Sequence, residues 1–403
     1  MKTVITNCHL IDGVSSEPIH DATVVIQDSK IAEVITRGKA SDIQEAKVID
    51  ARDGWLLPGL WDVHVHLASS ERVPRDLPSR TIQYGLNAAE GLLEAGITTI
   101  RTAGVEHWID VAWKHAFASG QFLGPRIFAA GYFLTTTAGH LPNDPSTKEC
   151  DGPEGFVQAI REQIKNGVDH IKLNLSGGIM GPSWDRHWHS FLTKDEIEAA
   201  FAICHQREFK VMSHATNTNA VKEAIRLGTW SVEHGYIMDE ECIQMMLENN
   251  TIYVPTLLIS HMTPGQVTNQ WEQRWVDAWH LTPDLIERAK NASPEHTKWF
   301  QTALKAGVRM ALGSDCFYGA IKEAALLELG LWVRDGATPM QAIMAATRVA
   351  AETCCVGDQL GTVQPNKIAD LILIADNPLE NINNLHSLQM VFKEGNLVVD
   401  KRE

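Results

Sequence analysis

From residue 59 onward the chain alternates between short β-rich runs and longer amphipathic runs, and glycine closes most of the latter. The candidate strands are 59–66, 97–102, 126–131, 169–175, 209–214, 229–234, 251–257 and 308–314. Between them, segments such as 81–95, 154–166, 194–207, 218–227 and 297–306 read as helices. Gly96, Gly167, Gly228 and Gly307 stand just past the ends of four of these, the position where a helix favours a left-handed residue. Thr193 with Glu196 forms the sequence of a capping box at the start of another. Eight strand–helix alternations in about 250–300 residues are the pattern of a (β/α)8 TIM barrel, an α/β fold, and 56–358 is assigned to it.

The pattern changes at both ends. Residues 1–55 and 359–403 hold β-runs such as Ala22-Thr23-Val24-Val25-Ile26 and Leu371-Ile372-Leu373-Ile374, separated by turn pairs such as Asp12-Gly13 and Glu394-Gly395. Neither end alone can bury both faces of its strands, so the two are expected to build one small β-sandwich domain. Two insertions, 177–190 and 259–296, follow strand ends and are expected as long loops on the side where active sites of this architecture sit. Trp271, Trp275 and Trp279 recur every four residues, a stripe that would pack a helix down.

Candidate chemistry begins at the first strand, Gly59-Leu60-Trp61-Asp62-Val63-His64-Val65-His66. Side chains alternate along a strand, so Asp62, His64 and His66 share one face and Trp61, Val63, Val65 and Leu67 the other. Two imidazoles on one face can bind one metal ion. The ends of three further strands each carry a metal-competent side chain: His214, His234 and Asp315. In strand four, Ile171, Leu173 and Leu175 face outward and leave Lys172, Asn174 and Ser176 inside. An ammonium group has no lone pair, so Lys172 either neutralises an anionic substrate or has reacted with carbon dioxide to give a metal-bridging carbamate. Tyr236, two residues beyond His234, could donate to a substrate carboxylate or to a developing oxyanion. His187-Trp188-His189 repeats the His-x-His spacing without a set of partners and reads as a decoy for metal, and Arg186 beside it could pair with an anion.

Composition narrows the partners. With 35 Lys and Arg against 50 Asp and Glu, the formal charge of −15 argues against nucleic acid and anionic membranes. The chain is 44% hydrophobic but has no run long and apolar enough to span a bilayer, and its seven Cys show no paired framework. A cytoplasmic protein with reduced thiols, a small-molecule substrate and a homo-oligomeric state is expected, and Cys316 reads as a packing residue.

The set of strand-end residues resembles the binuclear amidohydrolase superfamily: His-x-His after strand one, a carboxylated Lys after strand four, His after strands five and six, and Asp after strand eight. The resemblance extends over nearly the whole chain. Within the superfamily it is most similar to prolidases and Xaa-Arg/Lys dipeptidases related to imidazolonepropionase, through Ile171-Lys172 with Ser176-Gly177-Gly178, Glu233-His234-Gly235, Val254-Pro255-Thr256-Leu257 and Ala369-Asp370-Leu371. It implies metal ligation by His64, His66, Lys172 as carbamate, His214, His234 and Asp315, with two divalent ions, zinc first and cobalt or manganese next. It further implies cleavage of an amide bond by metal-bound hydroxide, with Asp315 as the proton carrier and with His140 and Tyr236 as catalytic and substrate-contacting residues. A dipeptide or N-acyl amino acid is the expected substrate. The alternatives are a hydrolase of neutral or cyclic amides or ureas, including a toxin amide, and a deaminase of the same fold, which would not need Lys172 as a ligand.

Overall fold

In this computed structural model, residues 2–36, 46–68, 76–279, 281–316 and 321–402 are described. Parts of the predicted termini and His280 of the predicted second insertion lie outside them.

The centre is built of parallel strands, most of them buried on both faces. Leu60–Val65, Ile97–Thr102 and Arg126–Phe128 form one sheet. Thr147–Glu149, Phe133–Thr135, His170–Asn174, Lys210–Ala215, Ser231–His234 and Ile252–Val254 form another. Helices such as Leu77–Ala95, Gly152–Lys165, Lys194–Gln206 and Thr218–Arg226 follow the strands, as a parallel arrangement with crossovers requires. Segment 309–316 runs between the two sheets. Tyr253 donates to Arg309 O and Ala311 donates to Tyr253 O on one side, while Val63 donates to Leu312 O and His66 to Cys316 O on the other. The result is a TIM-barrel-like α/β arrangement.

Two sequence expectations change here. The third strand is shorter than 126–131, because Gly131 takes a left-handed φ of 65° and the chain re-forms a strand at Phe133–Thr135. The eighth, 308–314, is an extended segment with isolated bridges at Met310 and Cys316 instead of a continuous ladder.

The second insertion is not a loop. It holds three helices, Leu257–His261, Gln270–Ala278 and Pro283–Ala306, the last two opened by Asn269 and Thr282 side-chain caps. Pro294 lies inside the longest of these, so the proline did not mark a boundary. Trp275 and Trp279 are buried and Trp271 stacks on His386, consistent with a packing stripe. Gly96 and Gly307 cap their helices with left-handed φ, and the Thr193–Glu196 capping box is present. No helix among the described residues is long and apolar enough to cross a membrane.

The chain ends meet in a single eight-stranded sheet rather than two hydrogen-bonded layers. Trp55–Pro58 joins them, parallel to Lys2–Leu10 and antiparallel to Leu371–Ile374. Ile5, Leu10, Val24 and Ile26 share a hydrophobic cluster with Leu371, Leu373, Met390 and Phe392. Burying each of these larger side chains contributes on the order of 1.5–3 kcal/mol, so the two termini stabilise each other.

Candidate metal centre

Strand geometry brings three ligand-capable atoms to one point. His64 and His66 leave the first strand on the same face, and the Asp315 backbone N–H bonds the His64 carbonyl at 2.8 Å. His64 Nε2 and His66 Nε2 lie 3.4 and 3.3 Å from Asp315 Oδ1. All three residues are buried, their ligand atoms fall within 4.8 Å of one another, and the group could hold a metal ion.

The hydrogen bonds around this group test that fit. His64 Nδ1 lies 2.8 Å from Glu233 Oε2 and His66 Nδ1 lies 3.3 Å from Gly104 O. A carbonyl and a carboxylate only accept, so both rings carry their proton on Nδ1 and turn a lone pair at Nε2 toward Asp315. Asp315 Oδ1 is buried with no hydrogen-bond partner. A buried acceptor left so costs about 1–3 kcal/mol, more when charged, and three converging lone pairs are completed by a cation. Asp315 also adopts a left-handed φ of 53° and His234 one of 73°. Such strain costs on the order of 1–3 kcal/mol per residue and is typical of functional sites.

Buried charge supports this half from behind. Arg101 donates to Glu233 Oε1 and Oε2 at 3.0 and 3.2 Å, to Val63 O and to Ser231 Oγ, so the Glu233–His64 bond is itself fixed. Burial raises the Glu233 carboxyl, and Arg101 and Lys172 draw it back down. Asp62 accepts from the backbone N–H of His64 and of Ser314, tying the first strand to the segment that carries Asp315. Burial pushes its carboxyl up to about 7. Lys172 faces inward from its strand, 2% exposed, with Nζ 3.3 Å from His64 Nε2. Burial brings its amine down to about 8, against the opposing pull of Glu233 and Asp315.

The second half is built differently. His214 Nε2 lies 3.0 Å from Gly177 O, and His234 Nδ1 lies 2.7 Å from Thr256 Oγ1. The two rings meet edge to face, 4.4 Å between centroids, and His234 is 5.0 Å from His64. Burial holds both imidazoles well below their usual value, reinforced at His214 by His140 and at His234 by His214. His140 stacks on His214 at 4.2 Å, and its Nδ1 lies 2.7 Å from Asp185 Oδ2. Gly178 makes that stack possible, since a Cβ there would sit 2.2 Å from His140 Cε1. Tyr236 is buried with its ring 5.6 Å from His234.

The eight residues read as ligands or substrate contacts are buried neighbours in one region, and among them His64, His66 and Asp315 converge within 4.8 Å. Three supports were not foreseen: Arg101, Asp62 as a carboxylate acting on Ser314, and Asp185. Alternation placed Asp62 on the His64 face, but not its bond to Ser314. Asp185 sits in an insertion with no periodic signal, 45 residues from its partner His140.

Residues 55–398 match the sequence profile of the Amidohydrolase family. The chain belongs to the amidohydrolase family. It is similar to the ochratoxinase of Aspergillus niger, 30% identical over 418 residues that cover 94% of this chain and 82% of that protein. Among solved structures it is similar to a Xaa-Pro dipeptidase with bound methionine in the active site, at 28% identity, 98% and 99% coverage and a TM-score of 0.84. It is also similar to a prolidase complexed with N-methylphosphonate-L-proline, at 26% identity, full coverage of both chains and a TM-score of 0.87. This amidohydrolase is a hydrolase acting on C–N bonds.

Proposed function

We propose that this amidohydrolase uses two divalent cations to cleave the amide bond of a dipeptide or an N-acyl amino acid. The observation that carries the reading is the convergence of His64 Nε2, His66 Nε2 and the orphaned Asp315 Oδ1 on one buried point. His64, His66 and Asp315 would hold one ion, His214 and His234 the other, and the Lys172 side chain, as a carbamate, would bridge them. Zinc suits this donor set, with cobalt or manganese as substitutes. Bound there, the cations would acidify water and polarise the scissile carbonyl. Asp315 takes the proton of the attacking water and returns it to the leaving nitrogen. His140, oriented by Asp185, and Tyr236 line the approach and bind the polar groups of the substrate. Residues 56–358 form the catalytic domain in this reading, and 1–55 plus 359–403 a composite terminal domain.

Support for an amino-acid substrate comes from the two similar structures, whose ligands are methionine and a proline derivative. The test is a substrate panel on metal-reconstituted protein: dipeptides with C-terminal Pro, Arg, Lys or aromatic residues, N-acyl amino acids, their C-terminal amides, and arylureas. Free acids turning over faster than their amides supports the proposal. Arylureas or other carboxylate-free substrates outpacing every free acid would replace it with a hydrolase of neutral amides or ureas.

A further inference from the structure

We propose that His187, in the 177–190 insertion, hydrogen-bonds the substrate carboxylate beside Tyr236, so that the insertion supplies part of the binding site. The proposal rests on the carboxylate-bearing substrate argued above.

The second His-x-His of the chain does not behave as a pair. Trp188 and His189 are exposed, whereas His187 is 6% exposed and turned inward. Its ring meets Tyr236 edge to face at 5.9 Å, and Tyr236 in turn neighbours His234. His187 Nδ1 is enclosed and has no hydrogen-bond partner. Buried ring nitrogens are normally paired, so one left open beside the reacting centre is a group whose partner arrives with the ligand.

The insertion holds this ring in place. Thr216, two residues past His214, has its hydroxyl between two carbonyl acceptors, His187 O at 2.6 Å and Gly177 O at 2.7 Å. Asn217 donates to His189 O at 3.2 Å. From the helix Pro283–Ala306, Arg288 donates to Gly181 O at 2.8 Å and to Pro182 O at 3.1 Å. A backbone anchored on both sides loses little freedom when a ligand binds.

Charge favours an anion at this place. Burial, then the nearby Arg186 and Arg288, hold the His187 imidazole down to about 4, so it is neutral near pH 7 with one N–H to donate. The same two guanidinium groups that oppose protonation of the ring attract a carboxylate beside it. Arg288 is held by backbone carbonyls and by Asp284 through its terminal nitrogens, and Arg186 pairs with Asp284. Arg288 Nε and His296 Nε2 are also enclosed without a partner, and the direct contact is assigned to the His187 ring because it lies on the insertion against Tyr236.

The test compares His187→Phe, which keeps a ring and loses both nitrogens, with His187→Gln, which keeps a donor. Each full-length, metal-reconstituted variant is assayed on the best free-acid substrate of the panel and on its C-terminal amide. For the acid, His187→Phe is expected to raise KM about tenfold with kcat within about threefold and metal content unchanged. His187→Gln should recover most of that loss, and the KM for the amide should move by less than about twofold. An unchanged KM for the acid, or an equal rise for acid and amide, overturns the assignment. If His187→Phe does not accumulate as folded protein, the wild-type His187 Nδ1 resonance is followed by ¹⁵N NMR as product amino acid is added. A shift supports the contact and its absence overturns it. A wild-type enzyme that turns over no free acid overturns the substrate reading itself, whereas a null result in the variants on an acid that wild type does cleave overturns His187 alone.

Discussion

The two halves of the candidate metal centre are held by different means. His64 stands on an inner strand, with His66 just past its end and Asp315 on the extended segment beside it, and all three are backed by buried charge, with Glu233, Arg101 and Asp62 each bonded to the next element. His214, His234 and His140 are held from the rim, by a loop carbonyl at Gly177, a hydroxyl at Thr256 and a carboxylate at Asp185. A buried charged network fails as a unit when one member is removed, since it leaves an unpaired charge behind. A rim of loop-borne contacts can yield and refill with water. Changes behind the first half should therefore strike the metal and the chemistry, and changes behind the second should fall on substrate binding.

The sharpest break is Asp315→Asn. It keeps the shape of the side chain and removes the proton carrier, and a loss of about 10²–10⁴ in kcat is expected by steady-state assay at full metal occupancy. Near-native turnover would remove Asp315 from the chemistry. Lys172→Ala comes next: activity should be lost and partly restored by short-chain carboxylates, which replace the bridging oxygens. No rescue together with a full metal complement would count against the carbamate.

Behind the first half, Glu233→Gln should weaken metal binding about 10–100-fold in a chelator competition, because the His64 ring loses its charged acceptor. Behind the second half, Asp185→Asn should leave metal content unchanged and raise KM by less than about tenfold, through a loosened His140. If the Asp185 variant lost metal as readily as the Glu233 variant, the two halves would not differ in kind.

The smallest effect concerns pH. Glu328 accepts the backbone N–H groups of Leu257 and Leu258, just beyond the left-handed Thr256 that holds His234, and burial pushes its carboxyl up to about 8. A carboxyl raised on folding contributes stability that is fully present below its unfolded value and is lost as pH rises through the folded one. The thermal midpoint should thus decline from about pH 5 to 8, and Glu328→Gln should flatten that decline, as read by thermal melts across the range.

The contrast between the halves also marks what was legible in the sequence. His64 and His66 follow a period of two and Asp315 a position at the end of an extended apolar run, so alternation and strand-end position find them. Lys172 was visible for the same reason, as a charge between two outward-facing apolar neighbours. Arg101 and Glu233 also lie on strands, yet their pairing is set by neighbours 132 residues apart, which no local pattern encodes. Asp185 depends on a loop path fixed by tertiary contacts such as those of Arg288. The 259–296 segment was read as a long loop with one helical Trp stripe; its other helices, one opened by Pro283 and containing Pro294, were not read. At the termini, the β-runs were legible and their joining into one sheet through Trp55–Pro58 was not, because that strand runs almost directly into the inner strand Leu60–Val65.

The central claim is that six side chains from both halves form one binuclear centre. Elemental analysis of reconstituted, exhaustively dialysed protein tests it most directly, with kcat measured on the same samples. About two divalent ions per chain are predicted for wild type, and about one for His214→Ala with activity lost. A wild-type protein that reaches full turnover with one ion per chain would contradict it.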